Sequence, residues 1–156
     1  MIDLHKVYEE NKRLDLVFIE KYNHKDFVKK NKLELLVEIG ELANETRCFK
    51  YWSNKEVNND LVKEEYADCI IMSLCFFNYL NISLDEINYI NDDKEIIDLF
   101  FDIYLLASNF SVNENKEIIK EILIKLINLG YKLGFTDEEI ISSCLNKIKI
   151  DRERLK

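Results

Sequence analysis

Apolar positions recur along this chain at the spacing of an amphipathic α-helix. Between about residues 2 and 21, Leu4, Val7, Leu14, Val17 and Phe18 fall close to one helical stripe. A second helix is predicted from about Asp26 to Phe49, with Leu35, Leu36, Ile39, Leu42 and Ala43 clustered around its middle. The third, about 56 to 80, turns almost wholly apolar after Tyr66, with Ile70, Ile71, Met72, Leu74, Cys75, Phe76 and Phe77, a pattern that predicts burial on most sides. A short piece near 84 to 90 leads into helices at about 93 to 109 and 113 to 133, the latter ended by Gly134, and a last helix spans about 137 to 148. Start signals of the capping-box kind, a hydroxyl residue followed three positions later by Glu, stand at Ser53/Glu56, Ser83/Glu86, Ser111/Glu114 and Thr136/Glu139, each expected to open a helix. Proline is absent and glycines number three, so the punctuation that strands and tight hairpins need is missing. The expected fold class is all-α, a helical bundle of about five to seven helices.

A length of 156 residues with 47% hydrophobic content suits a single domain with a real core. No internal repeat, low-complexity block or long linker divides residues 1–156, although Asn91 to Lys94 and Asn113 to Lys116 read as exposed connections. The net charge of -8 argues against unaided binding to nucleic acid or to an anionic membrane, both of which need a basic face. An anionic substrate would need a cation. Cys48, Cys69, Cys75 and Cys144 match no zinc spacing and read as reduced core thiols. The N-terminus is charged from its third residue and lacks an apolar signal core, and no stretch is apolar enough for a membrane span, so a cytoplasmic location is expected.

Chemistry enters with the carboxylates. In LVEIGELANE, Glu38 and Glu41 are three apart, about one helical turn, on one side of their helix. In EEYADCII, Glu65 and Asp68 repeat that geometry on the next helix, where it enters its apolar half. A single Glu-x-x-Glu pair in so acidic a chain reads as a solvated face. Two pairs on successive helices, each flanked by apolar residues, make a four-carboxylate cage whose mutual repulsion a divalent cation would relieve. Oxygen-only donors suit Mg²⁺, with Mn²⁺ as a substitute, and His5 and His24 lie outside the pairs.

Glu-x-x-Glu, a gap of about two dozen residues and then Glu-x-x-Asp resembles the all-α nucleoside triphosphate pyrophosphohydrolases, which include the MazG-like proteins and the dimeric dUTPases. The run ELLVEIGELANETRCFKYWSNK followed by EEYADCI looks specifically like dimeric dUTPase. Asn11-Lys12-Arg13-Leu14-Asp15 is similar to that family's Gln-x-x-Leu-Asn/Asp segment at the base pocket. Residues 147–154, with Lys147, Asp151 and Arg154, resemble its Lys-x-x-x-Asn-x-x-Arg tail at the nucleotide. Asn11 stands where Gln is usual and Asp151 where Asn is usual, which puts base or sugar preference in question, since Asp cannot donate as Asn does. Residues 81 to 112 match nothing in the family pattern.

The resemblance implies a four-helix metal-binding core completed by a homodimer, and a Mg²⁺-dependent enzyme that hydrolyses dUTP, and also dUDP, to dUMP. Glu38, Glu41, Glu65 and Asp68 would hold the metal, and Glu38 is the favoured general base. Asn11 and Asp15 would meet the pyrimidine edge; Lys50, Lys147 and Arg154 are candidates for phosphate contacts, or ordinary surface cations. Trp52 either packs against the base or sugar or anchors its loop to the core. The large apolar residues of 70 to 77 and 96 to 106 read as core, some of them as interface. Two competitors remain: a MazG-like pyrophosphohydrolase of broader nucleotide preference, and an acidic helical binding protein without catalysis.

Overall fold

The computed structural model describes residues 1–22, 27–111 and 116–156, residue 27 by its backbone alone. Six α-helices and one 3₁₀ turn make up the secondary structure of the described residues, without a strand. They are α1 (His5–Tyr22), α2 (Phe27–Thr46), α3 (Asn59–Tyr79), α4 (Ile96–Asn109), α5 (Lys116–Lys132) and α6 (Asp137–Arg154), with the turn at Leu84–Glu86. The all-α bundle expected from the apolar periodicity is therefore the observed architecture.

Helix α3 is the axis of the bundle: α1, α2, α5 and α6 all pack against it, and α4 closes the far side on α2 and α5. That placement follows from its sequence. Tyr66, Ala67, Cys69, Ile70, Leu74 and Phe77 are wholly covered, so apolar side chains leave this helix in nearly every direction. Leu35, Ile39 and Leu42 of α2 and Ile119, Ile122, Leu123, Leu126 and Ile127 of α5 complete one continuous core. Each such fully buried side chain contributes about 1.5–3 kcal/mol of hydrophobic stabilisation. No helix among the described residues is long and apolar enough to cross a membrane.

Helix ends are set by local chemistry, and here the sequence expectations divide. Thr136 caps α6 by accepting from the Glu139 backbone N–H. The Ser83/Glu86 box is fully formed but opens only the 3₁₀ turn. Ser53 caps nothing: its hydroxyl accepts from the Arg47 guanidinium at 2.7 Å and from the Lys55 N–H, while Asn58 takes the Asp60 and Leu61 N–H groups and starts α3. Glu114, the start of the second helix at Asp26 and most of the Asn113 to Lys116 connection lie outside the described residues. α5 ends as its sequence predicts, with Gly134 at φ 88°, the Phe135 N–H bonded to the Gly130 carbonyl and the Gly134 N–H to the Tyr131 carbonyl, the paired bonds of a left-handed glycine cap. α6 runs to Arg154, six residues beyond the expected 148, because residues 149–154 are helix formers braced by an Asp151–Arg154 ion pair.

Two apolar expectations fail in part. Leu4, Val7 and Leu14 are buried, but Val17 and Phe18 in the second half of α1 are exposed. Cys69 and Cys144 are core thiols, whereas Cys48 and Cys75 are half-buried; all four are free.

The segment before α4 is tied down by one buried amide. Asn128 of α5 accepts from the Tyr89 hydroxyl and the Asp92 N–H, and donates to the Ile90 and Ile124 carbonyls. Lys125 pairs beside it with Asp92 and Asp102.

Candidate active site

The register of α2 follows from Leu35, Ile39 and Leu42, which turn into the core. Glu38 sits at the edge of that stripe and is half-buried, while Glu41, one turn on, is exposed. On α3, covered Ala67 and Cys69 hold Glu65 and Asp68 in the same half-buried position facing α2. Glu38, Glu65 and Asp68 each place a carboxylate oxygen within 4.8 Å of the others. Glu41 stands outside this tight set, but its carboxyl is within hydrogen-bonding reach of both Glu38 and Glu65. The two sequence-spaced pairs thus converge.

Crowding of this kind has an electrostatic signature. Burial, then the Asp68 and Glu41 charges, push Glu38 up to about 8. Burial and the Glu41 carboxyl push Glu65 up to about 7. Asp68 rises to about 6 through burial, with Lys147 pulling the other way. One oxygen each of Glu38 and Glu65, Oε2 in both, is buried without a hydrogen-bond partner. Orphaned carboxylate oxygens, oxygen-only donors and mutual repulsion together fit a hard divalent cation.

A cavity of about 450 Å³ adjoins the cage, lined by Asn11, Asp15, Glu34, Met72, Cys75 and Asp151 among others. Glu34 and Met72 are each one helical turn from Glu38 and Asp68, which makes cage and cavity neighbours. Of the residues the sequence singled out, Asn11, Asp15 and Asp151 therefore come together beside the carboxylates. Burial raises the pKa of Asp15, against hydrogen bonds from Cys75 and Asn78; burial raises Asp151, against Lys147 and Arg154. Lys147 is buried, with Nζ 3.4 Å from Asp68 and 3.7 Å from Glu64, so its charge already serves the cage.

Lys50, Trp52 and Arg154 are not among the residues lining this cavity. Trp52 is 65% exposed and, among the described residues, its ring contacts are with Phe49 and Tyr51, so it does not anchor its loop to the core. That loop is held instead by Arg47, at φ 57° with its guanidinium on Ser53. Lys30, Glu34 and Cys75, which sequence reasoning did not select, line the cavity. Their signal was faint: Glu34 lies one turn before Glu38 and Cys75 one turn after Ile71, on the helix faces that carry the cage.

Fold and site together define a class: a helical bundle whose central helix and its neighbour bring paired acids together beside a cavity of about 450 Å³. The family profile described as dUTPase matches residues 3–156, and the chain belongs to this family of dimeric, all-α dUTPases, hydrolases that act on dUTP. No curated protein matches the chain.

Proposed function

We propose that this chain is a Mg²⁺-dependent dUTP diphosphatase, cleaving dUTP to dUMP and diphosphate and acting also on dUDP, as a cytoplasmic homodimer of single-domain subunits. The observation that carries the reading is the convergence of Glu38, Glu65 and Asp68 within 4.8 Å beside a cavity that also collects Asn11, Asp15 and Asp151. Glu38, Glu41, Glu65 and Asp68 would hold the ion. Mg²⁺ held there, or Mn²⁺ in its place, supplies positive charge against the phosphates and acidity to a nearby water.

The chain's own groups do the rest. Water attacks the α-phosphorus, the bond to the diphosphate oxygen breaks, and a carboxylate takes the water's proton. We assign that role to Glu38, whose carboxyl stands in the tight set with Glu65 and Asp68. Lys147 neutralises Asp68 and Glu64 so that the cage does not repel the substrate outright. Lys50 and Arg154 meet the phosphate tail from outside the cavity, and Trp52 packs against the base or sugar. Asn11 and Asp15 read the base edge.

A second copy covers the apolar stripe of α4, where Ile97, Phe101 and Leu105 are 41%, 68% and 64% exposed at successive turns, next to exposed Leu33 and Val37 of α2. Phe101→Glu is expected to give monomers in light scattering.

The test is diphosphate release from dUTP with and without Mg²⁺, beside dCTP, dTTP and UTP at equal concentration. Selective, magnesium-dependent cleavage of dUTP is expected. Comparable cleavage of several nucleotides would move the chain to the broader pyrophosphohydrolases, and no cleavage would leave an acidic binding bundle.

A further inference from the structure

We propose that Cys75 is a positioning residue of the nucleoside cavity: its thiol bridges Asn11 and Asp15 and fixes which hydrogen-bonding atoms α1 offers to a bound base. The inference rests on the reading of that cavity as the nucleoside site.

Asn11 and Asp15 are one turn apart on α1, and both line the cavity although Asn11 is 0% and Asp15 7% exposed. The Asn11 amide nitrogen donates to the Ile71 carbonyl at 3.2 Å and to the Cys75 sulfur at 3.6 Å. A carbonyl only accepts, so the amide cannot turn over without setting oxygen against oxygen. The thiol of Cys75 in turn donates to Asp15 Oδ1 at 3.1 Å, and the Asn78 amide donates to Asp15 Oδ2 at 3.2 Å. Sulfur therefore accepts on one side and donates on the other, giving a relay with one direction: Asn11 N–H to Cys75, Cys75 S–H to Asp15. Burial keeps the thiol protonated and so keeps that direction.

What remains for a ligand is acceptors. Asn11 Oδ1 is buried with no hydrogen-bond partner among the described residues, an arrangement that costs stability unless something donates to it. Asp15 has lone pairs beyond the two it uses, and Glu34 and Asp151 add further acceptors to the cavity wall. A base edge carrying an imide N–H, as in uracil, gives the orphaned Asn11 oxygen its donor at the ring-nitrogen position. Cytosine presents an unprotonated ring nitrogen at the same place and sets lone pair against lone pair. Discrimination thus depends on Asn11 being held in one orientation by the Ile71 carbonyl and the Cys75 sulfur together, and Cys75 alone also ties it to Asp15.

The test uses the full-length protein and measures binding of dUMP and dCMP by titration calorimetry for wild type, Cys75→Ala and Cys75→Ser, with circular dichroism melting as a check on folding. Wild type is expected to prefer dUMP. Cys75→Ala should narrow the preference by roughly threefold to tenfold, the worth of one ordinary hydrogen bond. Cys75→Ser, which keeps both donor and acceptor, should restore most of it, an outcome that loss of packing alone does not produce. An alanine variant with wild-type preference would overturn the proposal, as would a serine variant that fails as badly as alanine, or a wild type that binds both nucleotides alike. Because binding is read without turnover, a protein that prefers dUMP in this way but cleaves no dUTP leaves the relay standing and sinks the enzymatic reading instead.

Discussion

Replacing Glu65 by Gln should stabilise the metal-free protein and destabilise the magnesium-bound one. In chelator, Glu65 must ionise beside Glu38, Glu41 and Asp68 as pH rises, and its pKa stands at about 7 in place of 4.5. A group raised on folding contributes stability that is whole below its unfolded pKa and is lost as pH climbs through its folded one. The wild-type protein should therefore weaken between about pH 5 and pH 8, and the amide variant should escape part of that loss. At about 1.4 kcal/mol per pKa unit the full effect would approach about 3 kcal/mol, but solvent reaches these half-buried carboxyls, and about 1 kcal/mol is the screened expectation. For a chain of this size that is about 2–4 °C in Tm. Saturating Mg²⁺ at about a hundred times Kd adds about 2.7 kcal/mol to the wild type and far less to the variant, so the order of melting inverts. Turnover of dUTP should be lost at the same time. Scanning calorimetry at about pH 5 and pH 8, with chelator and with Mg²⁺, reads all of this. A variant that melts below wild type in chelator at both pH values, or that gains as much from Mg²⁺, would refute the cage, and so would full retained activity.

Lys147→Met removes the charge that holds down Asp68, whose pKa then climbs above about 6; protons compete harder, and Mg²⁺ affinity should fall more at about pH 6.5 than at about pH 8 in parallel titrations. Gly130→Ala places a Cβ 2.4 Å from the hydroxyl of wholly buried Tyr66, which donates to the Leu126 carbonyl at 2.7 Å, and should cost about 1–3 kcal/mol of stability in urea unfolding; an unchanged midpoint would mean that the α3–α5 contact is looser than described. Asn128→Ala strips the pin from the segment before α4, so amide exchange at Tyr89 to Asp92 should speed up selectively, with a global loss of about 1–3 kcal/mol.

The sequence by itself determined the class of fold and the cage. Helical spacing of Leu35, Ile39 and Leu42, together with an almost unbroken apolar run after Tyr66, leaves few ways to arrange α2 and α3, and acids three residues apart on each must then share a face. Those are local facts of periodicity, legible without coordinates. Tertiary structure decided what depends on distance across the chain. It brought Asn11, Cys75 and Asp151 to one cavity, a meeting of three helices that no spacing announces. It drew Lys147 down onto Asp68, gave Asn58 the cap that Ser53 seemed to offer, and left Trp52, Phe101 and Leu105 facing outward where their apolar character suggested burial. Hydrophobicity says that a side chain will be covered; only the packed chain says by which neighbour, and whether that neighbour belongs to the same copy.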